Sequence, residues 1–186
     1  IQSVLSMSPL RISFLGGGTD IPTFYTRSRG CVVSAAIDKY VYVHIKRHDP
    51  LFQERYRISY SEVEHTNSRD SIKNAIVKGC LELLGIDEPI QISTSADLPA
   101  NSGLGSSSSF AVALLNALHV LKNENASPVQ LAEEASSVEI DLLGSPIGKQ
   151  DQYTAAFGGL NLFEFETDGK VSIEPLNITA MEVNAL

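Results

Sequence analysis

Length, composition and charge restrict what this chain can be. Its 186 residues, 43% of them hydrophobic, suffice to bury the core of one domain or slightly more. The net charge of −8 argues against DNA or RNA as a partner, because a phosphate backbone is bound by basic surfaces. The two cysteines and four histidines lack metal-binding spacing, which disfavours zinc sites and a disulfide framework. Since the longest apolar helix is also too short to span a bilayer, we expect a cytoplasmic protein without a membrane partner.

Hydrophobic periodicity predicts strands early in the chain and helices late. Runs rich in Val, Ile, Tyr and Phe predict strands at residues 10–15, 31–37, 40–47, 56–59, 90–95 and 160–165. Apolar residues at helical spacing predict helices at residues 70–84, 110–121, 127–143 and 149–157. This order favours an α+β sandwich over a regular βαβ alternation.

Two connections are predicted in detail. The pair Asp38-Lys39 is expected to join strands 31–37 and 40–47, which would pair with each other. The three glycines at residues 16–18 form a tight loop after the first strand, and Thr19 or Asp20 is expected to cap a short turn through Pro22.

The stretch from Pro99 to Ser109, PANSGLGSSSS, lies between a predicted strand and a predicted helix. Gly103 and Gly105 allow backbone conformations that other residues rarely adopt, and the helical pattern begins at Phe110. Such a loop directs bare N–H groups at one spot, where the positive end of the helix dipole also attracts anions. The alternative is a solvated linker whose serines only cap the helix. The position between strand and helix favours a phosphate site.

Four residues outside this loop stand out: Arg11, Asp20, Glu139 and Asp151. If Glu139 and Asp151 both reach the loop, one carboxylate could hold Mg²⁺ while the other accepts a proton from an attacking hydroxyl. A nearby arginine could steady the transferred phosphoryl group. The alternative is that the acids are surface charges and Arg11 forms a strand salt bridge, since sequence spacing alone does not bring these residues together.

Other chemistries fit the sequence poorly. Residues 144–149 nearly match a P-loop but are one residue short and are followed by Gln150. The sequence has no catalytic-loop or DFG pattern of the protein kinases and no Gly-x-Ser-x-Gly elbow of a hydrolase. The four histidines, His119 among them, are predicted to be surface or strand residues.

Three segments together carry a resemblance to a known family. Residues 99–109 resemble the Pro-x-x-x-Gly-Leu-x-Ser-Ser motif of the GHMP kinases, the superfamily of galactokinase, homoserine kinase, mevalonate kinase and phosphomevalonate kinase. SPLRISFLGGGTD is similar to the first motif of the family, in which an arginine lies nine positions before an aspartate, as Arg11 and Asp20 do. GSPIGKQDQY is similar to the galactokinase segment that holds the catalytic aspartate. The resemblance runs from Ser8 to about Phe165.

The resemblance implies a fold, a cofactor and a set of site residues. The fold would be the α+β GHMP kinase N-terminal domain, which is ribosomal protein S5 domain 2-like and has two layers, a mixed sheet and helices. Asp151 would be the catalytic residue, supported by Arg11, and Ser107 and Glu139 would hold Mg²⁺. ATP would be bound by Pro99, Ser102, Gly103, Leu104, Gly105, Ser106, Ser107 and Ser108. The sugar would be bound by Gly17, Gly18, Thr19 and Asp20.

Within the superfamily, the triple glycine with Thr19-Asp20, the stretch AIDKYVYV and the segment GKQDQY are most similar to the D-glycero-D-manno-heptose 7-phosphate kinases. Those enzymes phosphorylate the anomeric hydroxyl of a sugar phosphate, giving heptose 1,7-bisphosphate for nucleotide-activated heptose and surface polysaccharides. Fucokinase domains share much of this pattern. A non-catalytic sugar or nucleotide sensor need not retain the acids and Arg11 together, and the Gly-Thr-Asp loop disfavours a GHMP-type decarboxylase.

The sequence departs from the family pattern in one respect. The third glycine-rich motif, which belongs to the C-terminal domain of the family, is absent. We therefore expect residues 1–186 to form the N-terminal, ATP-binding domain, with the C-terminal domain missing from this chain. The partners would be ATP and a small sugar phosphate, with a homodimer left open. The adenine pocket is not identified, because family members build it from variable residues.

Overall fold

The computed structural model describes residues 1–49, 51–100 and 102–177. Asn101 of the glycine-rich stretch and residues 178–186 of the predicted domain lie outside the described residues. Within the described part, seven strands form one mixed sheet. They are β1 (Ser3–Leu15), β2 (Gly30–Arg47), β3 (Tyr56–Ser59), β4 (Val63–Thr66), β5 (Ile90–Ala96), β6 (Leu160–Phe165) and β7 (Val171–Pro175).

Strand β2 is the centre of the sheet. Along one edge it pairs antiparallel with β1. Its other edge is divided between two antiparallel neighbours, β6 along residues 30–35 and β5 along residues 41–47. β3 pairs parallel with β5 and antiparallel with β4, while β7 pairs antiparallel with β6. A single strand of 18 residues therefore joins both halves of the sheet.

The prediction of two strands joined at Asp38-Lys39 is wrong, because β2 runs through this pair without turning. Between Pro9 and Arg11 of β1 the pairing partners on β2 change from Tyr40 to Ala36, so β2 carries extra residues at this point. The polar pair thus lies in a β-bulge. Asp38-Lys39 also lacks the glycine or asparagine that a two-residue hairpin turn favours, since its central residues need positive φ.

The helices lie mostly in the second half of the chain. They are α1 (Pro22–Tyr25), α2 (Ala75–Leu83), α3 (Ser106–Leu121), α4 (Pro128–Ser136) and α5 (Gln150–Phe157), with a 3₁₀ turn at Arg69–Ser71 and a π-helical segment at Ser137–Leu142. The predicted helix at 127–143 is therefore α4 followed by the π-helical segment. The strand β4 was not predicted, and α3 begins at Ser106, before the predicted start at Phe110.

Capping explains where two helices begin. Ser127 accepts a hydrogen bond from the N–H of Gln130, and Pro128 occupies the first turn of α4, as the sequence predicts. The predicted cap of α1 is wrong, because its N-cap is Ile21, which offers no side-chain acceptor. Thr19 and Asp20 use their oxygens inside the preceding glycine loop instead.

The core lies between the sheet and the helices. α3 is buried on nearly every side and packs on β1 and β2, with α4 and α5 beside it. On β1, Ser6, Ser8 and Leu10 face this core, while Leu5 and Met7 alternate with them and are exposed. Helices therefore cover one face of β1, and the predicted two-layer α+β fold is confirmed. None of the helices in the described part has the length and apolar character needed to cross a membrane.

One buried histidine joins two of these helices. His119, in the last turn of α3, is only 3% exposed, so its prediction as a surface or strand residue is wrong. Its Nδ1 lies 2.9 Å from Glu124 Oε2, and its Nε2 lies 2.7 Å from Glu134 Oε2 on α4. The ring thus ties the end of α3 to α4 through two carboxylates.

We expect His119→Ala to lower the free energy of unfolding by about 2 to 4 kcal/mol, because the mostly buried Glu134 loses its partner and the buried ring leaves a cavity. The measurement is urea unfolding followed by circular dichroism. The matched control is His44→Ala, since His44 is exposed and bonded only to the hydroxyl of Ser3; we expect a change within about 0.5 kcal/mol. Equal losses in the two variants would contradict the role assigned to His119.

Candidate active site

The glycine-rich loop ends in a helix N-terminus with free N–H groups. Gly103 and Gly105 have φ of 75° and 77°, as the sequence predicts for these positions. Gly105 is the N-cap of α3, and the first intrahelical hydrogen bond runs from the N–H of Ser109 to the carbonyl of Gly105. The N–H groups of residues 106–108 precede this bond and have no carbonyl within the helix. This end of α3 is therefore suited to bind an anion.

The consecutive serines at residues 106–109 serve different purposes. Ser107 is exposed, whereas Ser108 and Ser109 are buried, at 2% and 1% exposure. The hydroxyl of Ser109 donates to the carbonyl of Pro9 at 2.7 Å, which fixes the start of α3 to β1. Ser108 could therefore contribute its N–H to a ligand but not its buried side chain.

Arg11 brings the loop, β1 and α5 together. Its Nε lies 2.6 Å from Asp151 Oδ1 and its Nη2 lies 2.9 Å from Asp151 Oδ2, a bidentate pair. Its Nη1 donates to the carbonyl of Gly103 at 2.8 Å, and its backbone N–H donates to the carbonyl of Leu104 at 3.0 Å. The side chains of Arg11 and Asp151 are 14% and 22% exposed. Residues distant in sequence thus meet at one end of α3.

A change of phase in β1 aims Arg11 at this site. The exposed apolar residues are Leu5 and Met7 before the bulge but Ile12 and Phe14 after it. The irregular pairing falls between Pro9 and Arg11. Arg11 thus lies where the exposed face of β1 changes, and its side chain extends toward α5 rather than into solvent.

Glu139 is the second carboxylate of the site. It lies in the π-helical segment and is 2% exposed. Its Oε1 accepts a hydrogen bond from Ser107 Oγ at 2.6 Å, and its Oε2 accepts one from Gln152 Nε2 at 2.7 Å. Gly79 of α2 allows the close approach behind it, since a Cβ there would lie 2.9 Å from Val138 Cγ1. Wide π-helical turns of this kind are frequent at functional sites.

Gln152 is the residue of this site that the sequence reasoning missed. It is 0% exposed on α5, directly after Asp151. Its position in the segment GKQDQY, next to the predicted catalytic residue, was the available signal, but a glutamine has no charge and the resemblance implied no role for it. The thiol of Cys80 has a raised pKa, because of its burial and the nearby negative charges of Glu139 and Glu134, and it stays a neutral core group.

The glycine loop predicted to bind the sugar is held mainly by internal hydrogen bonds. Asp20 is 1% exposed, and its oxygens accept from the N–H groups of Gly18 and Gln150 at 2.9 and 3.0 Å. The hydroxyl of Thr19 donates to the carbonyl of Gly16 at 2.8 Å. Gly17 lines an open groove of about 480 Å³ that also reaches Arg11 and Gln150. Contact of these residues with a sugar stays a prediction.

A second cavity, of about 430 Å³, lies on the other side of the serines and was not predicted. Its walls are largely apolar and include Leu98 and Phe110, with Ser106 and Ser107 at one end. The hydroxyl of Thr94 is buried at this cavity and has no hydrogen-bond partner among the described residues. A hydrogen bond to Glu64 raises the pKa of Tyr60, at the rim, to about 12, so this phenol stays neutral at physiological pH.

The donor set fits a magnesium ion that shares its ligands with phosphate. Glu139 and Ser107 offer hard oxygen atoms beside the anion-binding end of α3. Among the described residues, no group of three or more His, Cys, Asp or Glu could hold a metal by itself. Mg²⁺ usually takes one or two protein oxygens and completes its shell with water and phosphate oxygens, so this sparse set is adequate.

Comparison with known proteins agrees with the fold. Residues 72–159 match the family model described as the GHMP kinases N terminal domain. This range includes the glycine-rich loop, Glu139 and Asp151. The chain therefore carries a GHMP kinase N-terminal domain.

Within that class, the chain is similar to kinases of heptose phosphates. It is 34% identical to the D-glycero-alpha-D-manno-heptose 7-phosphate kinase of Campylobacter jejuni, over 96% of this chain and 55% of the relative. A galactokinase of Pyrococcus furiosus is 34% identical over 85% of this chain and 45% of its own length. The crystal structure of a D-glycero-D-manno-heptose 1-phosphate kinase from Bacteroides thetaiotaomicron superposes with a TM-score of 0.86 and 28% identity, covering 97% of this chain and 62% of that one. The chain thus spans about half the length of these curated relatives.

Gly105→Ala should disturb the site in two ways: alanine is strained at the positive φ of this position, and its Cβ would also crowd neighbouring side chains. A Cβ at Gly105 would lie 3.2 Å from Arg11 Cγ and 3.3 Å from Asp151 Oδ2, so it would crowd the ion pair. We expect a loss of about 2 kcal/mol or more in the free energy of unfolding, together with weaker nucleotide binding. Thermal unfolding and binding of a fluorescent ATP analogue measure the two effects.

Gly85→Ala is the matched control for this substitution. Gly85 has φ of 62° but open space around it, so alanine there should cost only about 1 kcal/mol and leave nucleotide binding unchanged. If Gly105→Ala resembled Gly85→Ala in both measurements, the close approach to the ion pair would not matter.

Proposed function

We propose that the full-length protein is an ATP-dependent sugar kinase. It transfers the γ-phosphate of ATP to the anomeric hydroxyl of D-glycero-D-manno-heptose 7-phosphate and yields the 1,7-bisphosphate. The observation that carries the proposal is the Arg11–Asp151 pair, held against Gly103 beside the free N–H groups of α3. An oriented carboxylate next to a phosphate-binding helix end is what transfer to a hydroxyl requires.

ATP would lie along the loop from Pro99 to Ser108, with its phosphates on the N-terminus of α3. The N–H groups of residues 106–108 point at this position, and the helix dipole favours negative charge there. The apolar cavity beside Ser106 is of a size and character suited to the adenine base. There, the unpartnered hydroxyl of Thr94 would gain a hydrogen-bond partner.

Ser107 and Glu139 would hold Mg²⁺ between the loop and the π-helical segment. When bound, the ion neutralises negative charge that develops on the phosphate oxygens. The hydroxyl of Ser107 can donate its proton to Glu139 and still offer a lone pair to the ion, so the observed 2.6 Å hydrogen bond is compatible with binding.

Asp151 would accept or orient the proton of the attacking sugar hydroxyl. Each of its oxygens takes one hydrogen bond from Arg11, which leaves further lone pairs that can accept a proton. Arg11 fixes the direction of the carboxylate and adds positive charge where the phosphoryl group passes. Most of the rate would come from positioning and charge neutralisation.

The sugar would occupy the open groove beside Arg11, Gly17 and Gln150. The choice of a heptose phosphate is supported by the similarity to the Campylobacter jejuni kinase, which covers almost the whole chain. Because the chain is also similar to galactokinases, a different sugar is the second candidate substrate. Such a kinase would work in the cytoplasm, where ATP is supplied.

The substrate is tested by ADP release from the full-length protein with Mg·ATP. The acceptors are heptose 7-phosphate, fucose, galactose and mevalonate, tested one by one. Turnover confined to heptose 7-phosphate would support the whole proposal, and turnover on another sugar would retain the chemistry while replacing the substrate. Nucleotide binding without turnover on any acceptor would favour a non-catalytic sensor.

Asp151→Asn should lower kcat by about 10² to 10⁴, because the amide cannot accept the hydroxyl proton. The KM for ATP should change little, since the phosphate site is retained. Asp38→Asn is the control: Asp38 is 92% exposed in the β2 bulge, and the variant should keep the wild-type rate. A kcat within a few fold of wild type in Asp151→Asn would exclude this residue as the base.

A further inference from the structure

Gln152 has no assigned role in the proposed function, yet it is among the most buried polar residues of the site. Its Nε2 donates to Glu139 Oε2 at 2.7 Å, while its Oε1 has no partner among the described residues. A buried amide that satisfies only part of its hydrogen-bonding capacity costs stability. A core position next to α4 would be filled more stably by an apolar side chain, which points to a role other than packing.

The chemistry of an amide suits the carboxylate that it contacts. Glu139 is buried, and a glutamine N–H satisfies one of its oxygens without supplying a positive charge. Asp151 differs, since the guanidinium of Arg11 balances its charge. Among the described residues, the hydrogen-bond donors to Glu139 are the neutral groups of Gln152 and Ser107, and its Oε1 faces Ser107.

The helix that carries Gln152 is firmly anchored. Tyr153, the next residue, is 3% exposed, and its ring lies 6.1 to 6.4 Å from the rings of Phe157, Phe163 and Phe165. The hydroxyl of Thr154 donates to Ser34 Oγ of β2 at 3.0 Å. Because α5 is fixed to the sheet in this way, the amide of Gln152 is a rigid reference point for the rotamer of Glu139.

We infer that Gln152 is a positioning residue that locks the carboxylate of Glu139 toward Ser107 and thereby sets the affinity of the site for Mg²⁺. The inference rests on the proposed function, in which Glu139 and Ser107 hold the ion. Residues that orient a metal ligand typically change metal affinity by about 10- to 100-fold when they are replaced. Neighbouring residues in one turn of α5 would thus have two roles: Asp151 contacts the acceptor, and Gln152 orients the metal ligand Glu139.

The test is Gln152→Met in the full-length protein, a change that keeps the side-chain length and removes the N–H donor. We expect the Mg²⁺ concentration for half-maximal ADP release to rise about 10-fold, while kcat at saturating Mg²⁺ stays within a few fold. Mn²⁺ binding with a non-hydrolysable ATP analogue, followed by electron paramagnetic resonance, should weaken by a similar factor. This second measurement does not depend on turnover.

Gln130→Met is the matched control. Gln130 Nε2 donates to Glu134 Oε1 at 2.8 Å, which is the same kind of hydrogen bond on the exposed surface of α4. We expect no change in Mg²⁺ dependence or Mn²⁺ binding. Gln152→Asn retains the amide but draws it back from Glu139, so it should weaken metal binding as Gln152→Met does. This second variant replaces Gln152→Met if the methionine variant folds poorly.

A double variant separates positioning from packing. In the Glu139→Gln background, Gln152→Met should cause little further loss of Mn²⁺ affinity, because the ligand that it orients is already gone. Equal losses in both backgrounds, or unchanged Mn²⁺ binding in folded Gln152→Met and Gln152→Asn, would overturn the inference. If the wild-type protein neither released ADP nor bound Mn²⁺ with nucleotide, the proposed function itself would fail.

Discussion

The arrangement of the site depends on the bidentate contact between Arg11 and Asp151. This contact joins β1 to α5. Arg11 also donates to the carbonyl groups of Gly103 and Leu104, which joins these two elements to the loop. Both side chains are mostly removed from water, so either charge would be left poorly compensated without the other. A planar guanidinium can hold a carboxylate and a carbonyl at once, which a lysine at this position could not reproduce.

The sheet determines why these residues meet. β2 pairs with β1 along one edge, and β6, which follows α5 in the chain, pairs with the other edge. Arg11 and Asp151 are therefore fixed to neighbouring parts of one sheet although 140 positions separate them. Opposite the β2 bulge that holds Asp38-Lys39, the exposed face of β1 changes, and Arg11 on this part of β1 extends toward the helices.

The sequence was informative where structure is local. Helical spacing located α2 to α5, positive-φ positions were expected at Gly103 and Gly105, and the resemblance selected the carboxylates that the fold brings near the loop. The sequence was less informative where a residue far along the chain determines the local structure. The continuity of β2 depends on its pairing with β1. The burial of His119 depends on the two carboxylates that it contacts, and the hydrogen bond of Gln152 depends on the rotamer of Glu139. Asp20 could not be recognised as a buried acceptor, because its partner Gln150 lies far along the chain.

An acidic chain can bind a polyanion because the local field differs from the net charge. At physiological ionic strength, screening reduces interactions between exposed charges beyond about 8 Å, so most acidic residues act weakly on the loop. The N–H groups of α3 and the guanidinium of Arg11 lie next to the proposed phosphate position and would dominate there. Glu139 opposes them, since it is close and carries a charge that no cationic side chain is shown to balance. A divalent cation held by Glu139 and Ser107 would turn this repulsion into attraction, so nucleotide and metal should each strengthen the binding of the other.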